Sequence, residues 1–129
     1  MKLGRFCNTD PTGRRGERVA ARWLRKNRFR VIGRNVSVGV GEADIVCIAP
    51  DKRTLVIVEV KTRRLSDRDQ PPPEASVGAQ KQHKLRLVAR AIMKRPGFDD
   101  RPVRIDVIGV DLPEKGKPVV RHHPSAVTG

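Results

Sequence analysis

Two carboxylates and a lysine lie within apolar runs of the sequence, where a chain built only to fold would place Val or Thr. Asp44 opens one run, residues 45–49, and Glu59 and Lys61 close a second, residues 55–58. Burying such groups costs free energy unless they are paired, hydrogen-bonded or bound to a metal ion. Carboxylate oxygens are typical ligands of Mg²⁺ and Mn²⁺, and a nearby lysine can hold a phosphate or orient a water. The three residues therefore indicate metal-dependent chemistry on a phosphate group.

The turn between the two runs decides how their side chains face each other. A Pro-Asp-Lys-Arg turn separates the predicted strands Glu42–Ala49 and Thr54–Arg63, which should form an antiparallel hairpin. If the loop is even in length and centred on this turn, Asp44 stands opposite Glu59, with Cβ atoms about 4.5–5.5 Å apart. An odd loop would break the alignment. Like charges so placed repel each other, and a divalent cation would relieve the repulsion. The alternative is a structural ion pair of these acids with Lys61 or a nearby arginine.

A third acid lies in the helix predicted over Thr12–Lys26. Glu17 extends the apolar stripe of Ala20, Ala21 and Leu24 at helical spacing, so its side chain is expected to face the core. The alternative is a first-turn acid that is favoured by the helix dipole and paired with a neighbouring arginine. Arginines fill much of the remaining helix surface, at positions 14, 15, 18, 22 and 25.

The remaining segments predict an α/β domain around one mixed sheet flanked by helices. The further elements are a strand over Phe29–Val38, a helix from about Ser76 to Lys94, and strands over Val103–Val110 and Val119–His122. The order is therefore αβββαββ. The polar segment 64–76, which contains three successive prolines, is expected to form a stiff loop beside the site.

Length and composition predict one basic domain. The chain has 129 residues, and we place the domain at 13–123, between a polar segment, 1–12, and a tail, 124–129. Lys and Arg number 28 against 14 Asp and Glu, and the net charge of +14 favours a polyanionic partner such as DNA or RNA. A basic composition without such a partner is the alternative. The four aromatic residues, three Phe and one Trp, are too few for single-strand binding by stacking.

Cysteine and histidine give no sign of a disulfide or zinc site. Cys7 and Cys47 are far apart and form no CxxC pair, and Cys47 is expected to be a buried apolar residue. His122 and His123 have no metal-binding spacing and are expected at the surface. A reduced, cytoplasmic setting fits this usage. No apolar stretch approaches the roughly 18 residues of a membrane span, and the N-terminus has no signal-peptide core, so no membrane partner is expected.

The ordered motifs resemble a known nuclease pattern. Asp44, a hairpin and then Glu59-Val60-Lys61 look like the PD-(D/E)xK signature of restriction-endonuclease-like nucleases, with Ala43 in place of the proline. The wider set is similar to the YraN-type bacterial family, whose fold resembles archaeal Holliday-junction resolvases. That set spans roughly residues 13–112 and consists of Gly16-Glu17-Arg18, Gly41-Glu42-Ala43-Asp44, Val58-Glu59-Val60-Lys61-Thr62-Arg63 and Arg104-Ile105-Asp106-Val107-Ile108.

The resemblance implies a restriction-endonuclease-like fold and a nuclease site. Asp44 and Glu59 would bind Mg²⁺ or Mn²⁺, with the Val60 carbonyl as a third ligand. Lys61 would be the catalytic lysine, and Glu17 would complete the site. The implied reaction is phosphodiester hydrolysis in nucleic acid, DNA more than RNA, in a structured or branched form. Resolvase-like enzymes commonly act as dimers, which leaves a homodimer open.

Other residues and functions stay in competition with this interpretation. Arg63, Lys81 and Lys84 are candidates for phosphate contacts, and a solvated helix face is the alternative for the two lysines. Asp106 interrupts an apolar strand and is predicted to form a structural salt bridge. The competing functions are a non-catalytic nucleic-acid-binding module on the same fold and a protein-interaction adaptor whose acids are structural ion pairs.

Overall fold

Six strands form one mixed sheet with a helix on each face. The computed structural model describes residues 4–5, 10–65 and 71–127. The elements are β1 (Gly4–Arg5), α1 (Pro11–Lys26), β2 (Arg30–Ser37), β3 (Glu42–Ile48), β4 (Leu55–Arg64), α2 (Ala79–Met93), β5 (Val103–Leu112) and β6 (Val119–Val127). The strands lie in the order β1-β2-β3-β4-β5-β6, and all described neighbours are antiparallel except β4 and β5. This confirms the predicted αβββαββ order, to which β1 adds a two-residue edge strand.

Alternating side chains build one half of the core on each face of the sheet. On one face, α1 contributes the fully buried Ala20, Ala21 and Leu24. On the other face, α2 contributes Leu85, Val88, Ala89 and Ile92. Strands β3 and β4 supply apolar residues to both halves, because each is covered on both sides. No helix in the described part of the chain is long and apolar enough to cross a membrane.

Helix α1 is capped at its start and lies unusually close to β4. Asp10 caps it by accepting a hydrogen bond from the Thr12 backbone N–H at 3.2 Å, and Pro11 occupies the first turn. Gly16 then allows the close approach, because a Cβ at this position would lie 2.8 Å from Cβ of Thr62 on β4. The next residue in the helix, Glu17, is thereby brought beside the strand that carries the predicted catalytic motif.

Strand β6 is longer than its apolar residues predicted. The expected strand ended at His122 and was followed by a tail, 124–129, but β6 runs to Val127, which is buried and pairs with Ile105. The tail boundary was therefore wrong for residues 124–127, and residues 128–129 lie outside the described chain. The reason is a polar contact, since the Ser125 backbone N–H donates to Oδ1 of Asp106 at 3.0 Å.

The loop before α2 is also more structured than expected. Residues 64–76 were predicted to be a loop, but Arg64 belongs to β4 and Pro73–Ser76 forms a 3₁₀ turn. The helix itself begins at Ala79, three residues after the predicted start at Ser76. Residues 66–70 lie outside the described chain.

Asp106 forms the predicted salt bridge and organises a second buried cluster. Its carboxylate is fully buried, bonds Arg104 Nε at 3.0 Å and lies 2.7 Å from His122 Nε2. The expectation that His122 lies at the surface was wrong, because its ring packs near Trp23 and Phe29, with centroids 5.0 and 5.8 Å away. His123 is exposed, as expected. These partners explain why a carboxylate can be buried at Asp106.

Candidate active site

The hairpin register brings Asp44 and Glu59 together on one face of the sheet. Residue numbers add up to 103 in the four β3–β4 pairs nearest the turn, as the centred even loop predicted. Asp44 and Glu59 are the next positions in this register. Beyond the last of the four pairs, Oδ2 of Asp44 accepts a hydrogen bond from the Val60 backbone N–H at 2.8 Å. The Asp44 carboxylate is therefore held against β4, one residue from Glu59.

Two lysines from different elements flank Glu59. The residue is only 5% exposed. Its Oε1 atom lies 3.9 Å from Nζ of Lys61 on β4 and 3.5 Å from Nζ of Lys81 on α2. Burial raises the pKa of the Glu59 carboxyl, and the positive charges of the two lysines oppose that increase. Lys61 keeps 30% of its side chain exposed, so its ammonium group remains accessible from outside the sheet.

Burial, followed by the nearby acids, disfavours the charged form of Asp44. Its pKa rises from 3.8 to about 7, first because the carboxyl is buried and second because Glu59 is close. The hydrogen bond from Val60 and the charge of Lys81 act in the opposite direction but do not outweigh burial. Burial and the neighbouring acids therefore favour the protonated form of Asp44 well above the pH at which an ordinary carboxyl ionises. A cation placed between the two acids would displace that proton and remove the repulsion.

Glu17 joins the same electrostatic cluster from the opposite face of the sheet. It is 3% exposed, which confirms that its side chain faces inward. Its negative charge raises the pKa of both Asp44 and Glu59, so the three acids are close enough to influence one another's ionisation. The close contact of Gly16 with Thr62 explains how an acid on α1 reaches this position. A catalytic role for Glu17 stays a prediction.

The side chains fit a divalent cation that takes its remaining ligands from elsewhere. Within residues 10–65 and 71–127, no group of three or more His, Cys, Asp or Glu is close enough to hold a metal ion. Asp44 and Glu59 supply two hard oxygen ligands, and Val60, whose carbonyl would be the third, directly follows Glu59 in sequence. Mg²⁺ is commonly held by one or two carboxylates, with waters and substrate phosphates completing the octahedron. The donor set therefore agrees with Mg²⁺ or Mn²⁺ and with no metal that needs a full protein cage.

Sequence comparison assigns the chain to a protein family, and the matched region covers the site residues. Residues 16–110 match the group described as "Uncharacterised protein family UPF0102". The chain belongs to the UPF0102 family. The resemblance to YraN-type proteins is thereby confirmed. The match spans Glu17, Asp44, Glu59 and Lys61 together.

Several UPF0102 proteins are similar over most of their length. The protein of Pelobacter propionicus is 40% identical over 111 residues, covering 86% of this chain and 78% of that protein. The protein of Geobacter sulfurreducens is 40% identical over 110 residues, covering 85% and 83%. The protein of Streptomyces coelicolor is 45% identical over 112 residues, with the same two shares of 85% and 83%.

The basic residues predicted to contact phosphates occupy different environments in this UPF0102 chain. Lys81 lies at the site through its contact with Glu59, which the sequence did not reveal. Lys84 is exposed one helical turn further along α2. Arg63 is partly buried and engaged by an acid, because its Nε donates to Oδ1 of Asp111 at 2.8 Å and its side chain is 16% exposed. These placements bring Lys81 to the acids and leave a phosphate contact by Arg63 or Lys84 as a prediction.

An ionic cluster beside Lys61 was missed at the sequence level. Arg121 on β6 donates to Oε2 of Glu74 at 2.6 Å and to Oδ2 of Asp111 at 2.9 Å. These bonds help to lower the pKa of Glu74 and of Asp111 to about 2. Gly109 is the β5 neighbour of Lys61, and a Cβ there would overlap the Glu74 carboxylate. The partners are 47 and 10 positions apart in sequence, so the only local signal was a glycine inside an apolar strand.

Proposed function

We propose that this UPF0102 protein is a metal-dependent nuclease-like enzyme that hydrolyses phosphodiester bonds in nucleic acid. The observation that carries the proposal is the placement of Asp44 beside Glu59 on adjacent strands, with the pKa of Asp44 raised to about 7. A bound cation would relieve the repulsion between the two acids, which otherwise lowers the stability of the fold. The arrangement agrees with the PD-(D/E)xK resemblance noted in the sequence and therefore supports the proposal.

Each residue has a role that follows from its position. Asp44 and Glu59 would hold Mg²⁺ or Mn²⁺ together with the Val60 carbonyl. The ion, when bound, would polarise the phosphate and activate a water. Lys61, which is partly exposed beside Glu59, would contact the substrate phosphate or the attacking water. Glu17 would help to hold that water or a second hydrated ion.

Charge and composition support nucleic acid as the substrate. The net charge of +14 attracts a polyanion, and the shortage of aromatic residues disfavours binding that depends on stacked single strands. We therefore propose DNA in duplex form as the primary substrate. The preference for structured or branched DNA rests on the resemblance to resolvases.

The test is a cleavage panel with variants of the motif. Duplex, single-stranded, flap and four-way-junction substrates of DNA and RNA are incubated with Mg²⁺, with Mn²⁺ and with a chelator. We expect cleavage only with a divalent ion, and at least a 100-fold lower rate in Glu59→Gln and in Lys61→Ala. Glu114→Gln, an exposed acid in the β5–β6 loop, is the matched control and should retain the full rate. A wild-type protein that cleaves no substrate and binds neither ion would overturn the proposal.

The second candidate is a non-catalytic nucleic-acid-binding module on the same fold. The two lysines within 4 Å of Glu59 favour it, because an ion-pair network alone could explain why that acid is buried. This function predicts salt-dependent binding that is unchanged in Glu59→Gln and no cleavage under any condition. The cleavage panel and a binding titration therefore separate the two candidates.

A further inference from the structure

The solvent face of α1 consists almost entirely of positive charge. Apart from Pro11, every exposed residue of this helix is arginine or lysine. We call this surface the basic face, and it comprises Arg14, Arg15, Arg18, Arg22, Arg25 and Lys26. The only acid in α1 is Glu17, and it is buried.

The basic face works against the stability of its own helix. Five pairs of these residues are spaced three or four positions apart, so their like charges are neighbours on the helix surface. Each such pair weakens a helix about as much as an opposite-charge pair strengthens it. Arg14 and Arg15 also lie near the positive end of the helix dipole, where acids are favourable. A surface selected only for folding would alternate the signs of charge, so the uniform sign indicates a binding role.

Membrane attachment does not explain the surface. A helix that lies on a membrane must place its apolar side among the lipids. The apolar side of α1 is fully buried against the sheet through Ala20, Ala21 and Leu24. Only the charged side of the helix is available, and it suits a partner that presents a row of anions.

We infer that the basic face binds the phosphate backbone of a nucleic-acid duplex. The inference rests on the proposed action on nucleic acid and specifies where the substrate docks. From Arg14 to Lys26 the helix rises about 18 Å. One strand of a B-form duplex presents about five phosphates over that axial length. Guanidinium groups contact phosphate oxygens through two donors at once, which suits the predominance of arginine.

The same helix joins this surface to the acids. Glu17 lies about one turn from Arg14 and directly before Arg18 on the helix, and its charge acts on both Asp44 and Glu59. Because Gly16 seats α1 directly on Thr62, the basic face is fixed in position relative to β4. A duplex on the basic face would therefore have a fixed position relative to the strand that carries Glu59 and Lys61.

The experiment removes the same charge from two different surfaces. The test variant carries Arg18→Gln, Arg22→Gln and Arg25→Gln, and glutamine preserves helix propensity. The control variant carries Arg53→Gln, Arg90→Gln and Lys94→Gln, three exposed cations on the β3–β4 turn and the end of α2. Binding of a 20-base-pair DNA duplex, the equivalent RNA duplex and a single strand is measured with chelator present, between 50 and 300 mM salt. Thermal melting checks that both variants are folded.

Three lost phosphate contacts should reduce the slope of log affinity against log salt by about 2–3 for the test variant. We expect its duplex affinity at 50 mM salt to fall at least 10-fold, and the control to change less than 3-fold with a nearly unchanged slope. The DNA and RNA arms show which duplex is bound. If the triple variant folds poorly, the single substitutions Arg18→Gln and Arg22→Gln should each lower the slope by about 1.

Several results would overturn the inference, and they differ from those that would overturn the proposed hydrolysis. Equal loss in the two variants would mean that net charge, not the basic face, drives binding. A wild-type protein that binds no duplex, or that prefers the single strand, would also contradict the inference. If the duplex binds through the basic face but is never cleaved, the hydrolysis is wrong and the inference stands. If cleavage occurs with the same KM in both variants, the inference is wrong and the hydrolysis stands.

Discussion

Asp44 accepts a backbone hydrogen bond that favours its charged form, yet burial and the charges of Glu59 and Glu17 raise its pKa to about 7. Several neighbouring residues determine the pKa of Asp44, and the sequence predicted only some of these contacts. The hairpin register predicted the contact with Glu59 because strand side chains alternate and the turn is even. It did not predict Lys81, which comes from a helix more than twenty positions later in the chain.

The unfavourable burial of the Asp44 charge should be visible in the pH dependence of the protein's stability. The folded-state pKa of Asp44, about 7, lies above the usual 3.8, so ionisation is disfavoured in the fold and stability declines as pH rises from about 4 to 7. Asp44→Asn keeps an acceptor for the Val60 N–H and removes the charge. With chelator present, we expect the variant to be more stable than wild type at pH 8, by about 2–4 kcal/mol.

Denaturant unfolding at pH 4, 6 and 8 provides the measurement. The stability difference between Asp44→Asn and wild type should shrink toward zero at pH 4, where the wild-type carboxyl is protonated in the folded protein. Glu114→Gln, which removes an exposed acid, should show no comparable trend. A variant that is less stable than wild type at pH 8 would show that the lysines already compensate the Asp44 charge.

At the scale of elements, the contact between α1 and β4 places Glu17 beside the motif. Gly16→Ala would bring a Cβ within 2.8 Å of Cβ of Thr62, and a change of rotamer cannot relieve a clash with that atom. Overpacking costs about 1–3 kcal/mol, whereas Ala in place of Gly stabilises a helix by up to about 1 kcal/mol. We expect a net loss of about 1–2 kcal/mol and at least a 10-fold loss of cleavage as Glu17 moves away.

Gly78→Ala serves as the matched substitution, because a Cβ at Gly78 meets no atom within 4 Å. It should change stability by less than about 1 kcal/mol and leave cleavage intact. Urea unfolding and initial cleavage rates measure both effects. If Gly16→Ala gains the full helix-propensity stabilisation, then α1 can shift without cost and its close seating is not what positions Glu17.

The 3₁₀ turn before α2 is tied to the sheet by Glu74, whose pKa is lowered to about 2 mainly through Arg121 despite burial. A lowered pKa means that the stabilisation is present above about pH 4.5 and is lost as pH falls toward 2. Glu74→Gln should therefore cost about 1–2 kcal/mol at pH 7, after allowance for solvent screening. The cost should diminish between pH 5 and 3 in urea titrations, and a cost independent of pH would assign it to packing instead of charge.

At the scale of the whole molecule, the sequence predicted the topology better than the polar contacts across it. Apolar periodicity and turn residues are local signals, and they were enough to order two helices and the five longer strands. The extension of β6 depends on the bond from Ser125 to Asp106, and the cluster beside Lys61 depends on Arg121 meeting Glu74. Such contacts join segments that are distant in sequence, and no local pattern in either segment predicts them.

Cys47 offers a probe of the whole fold because it lies at the centre of the sheet. It is fully buried, and burial raises its pKa to about 12, so almost no reactive thiolate exists in the folded protein. In a Cys7→Ser variant, Cys47 is the remaining thiol of the two in the sequence. Where refolding outpaces modification, its labelling rate with a thiol reagent should then follow the population of opened molecules.

That rate should reveal whether a cation belongs to the native structure. A ligand at 100 times its dissociation constant stabilises the native state by about 2.7 kcal/mol, which corresponds to labelling about 100-fold slower. We expect Mg²⁺ to slow labelling of Cys47 in the Cys7→Ser protein. Adding Glu59→Gln should abolish this protection by Mg²⁺. A DNA duplex should still slow labelling in that variant, because it binds the basic face of α1. Protection by the duplex without any protection by Mg²⁺ would instead favour a binding module, because the two acids would then have no cation to share.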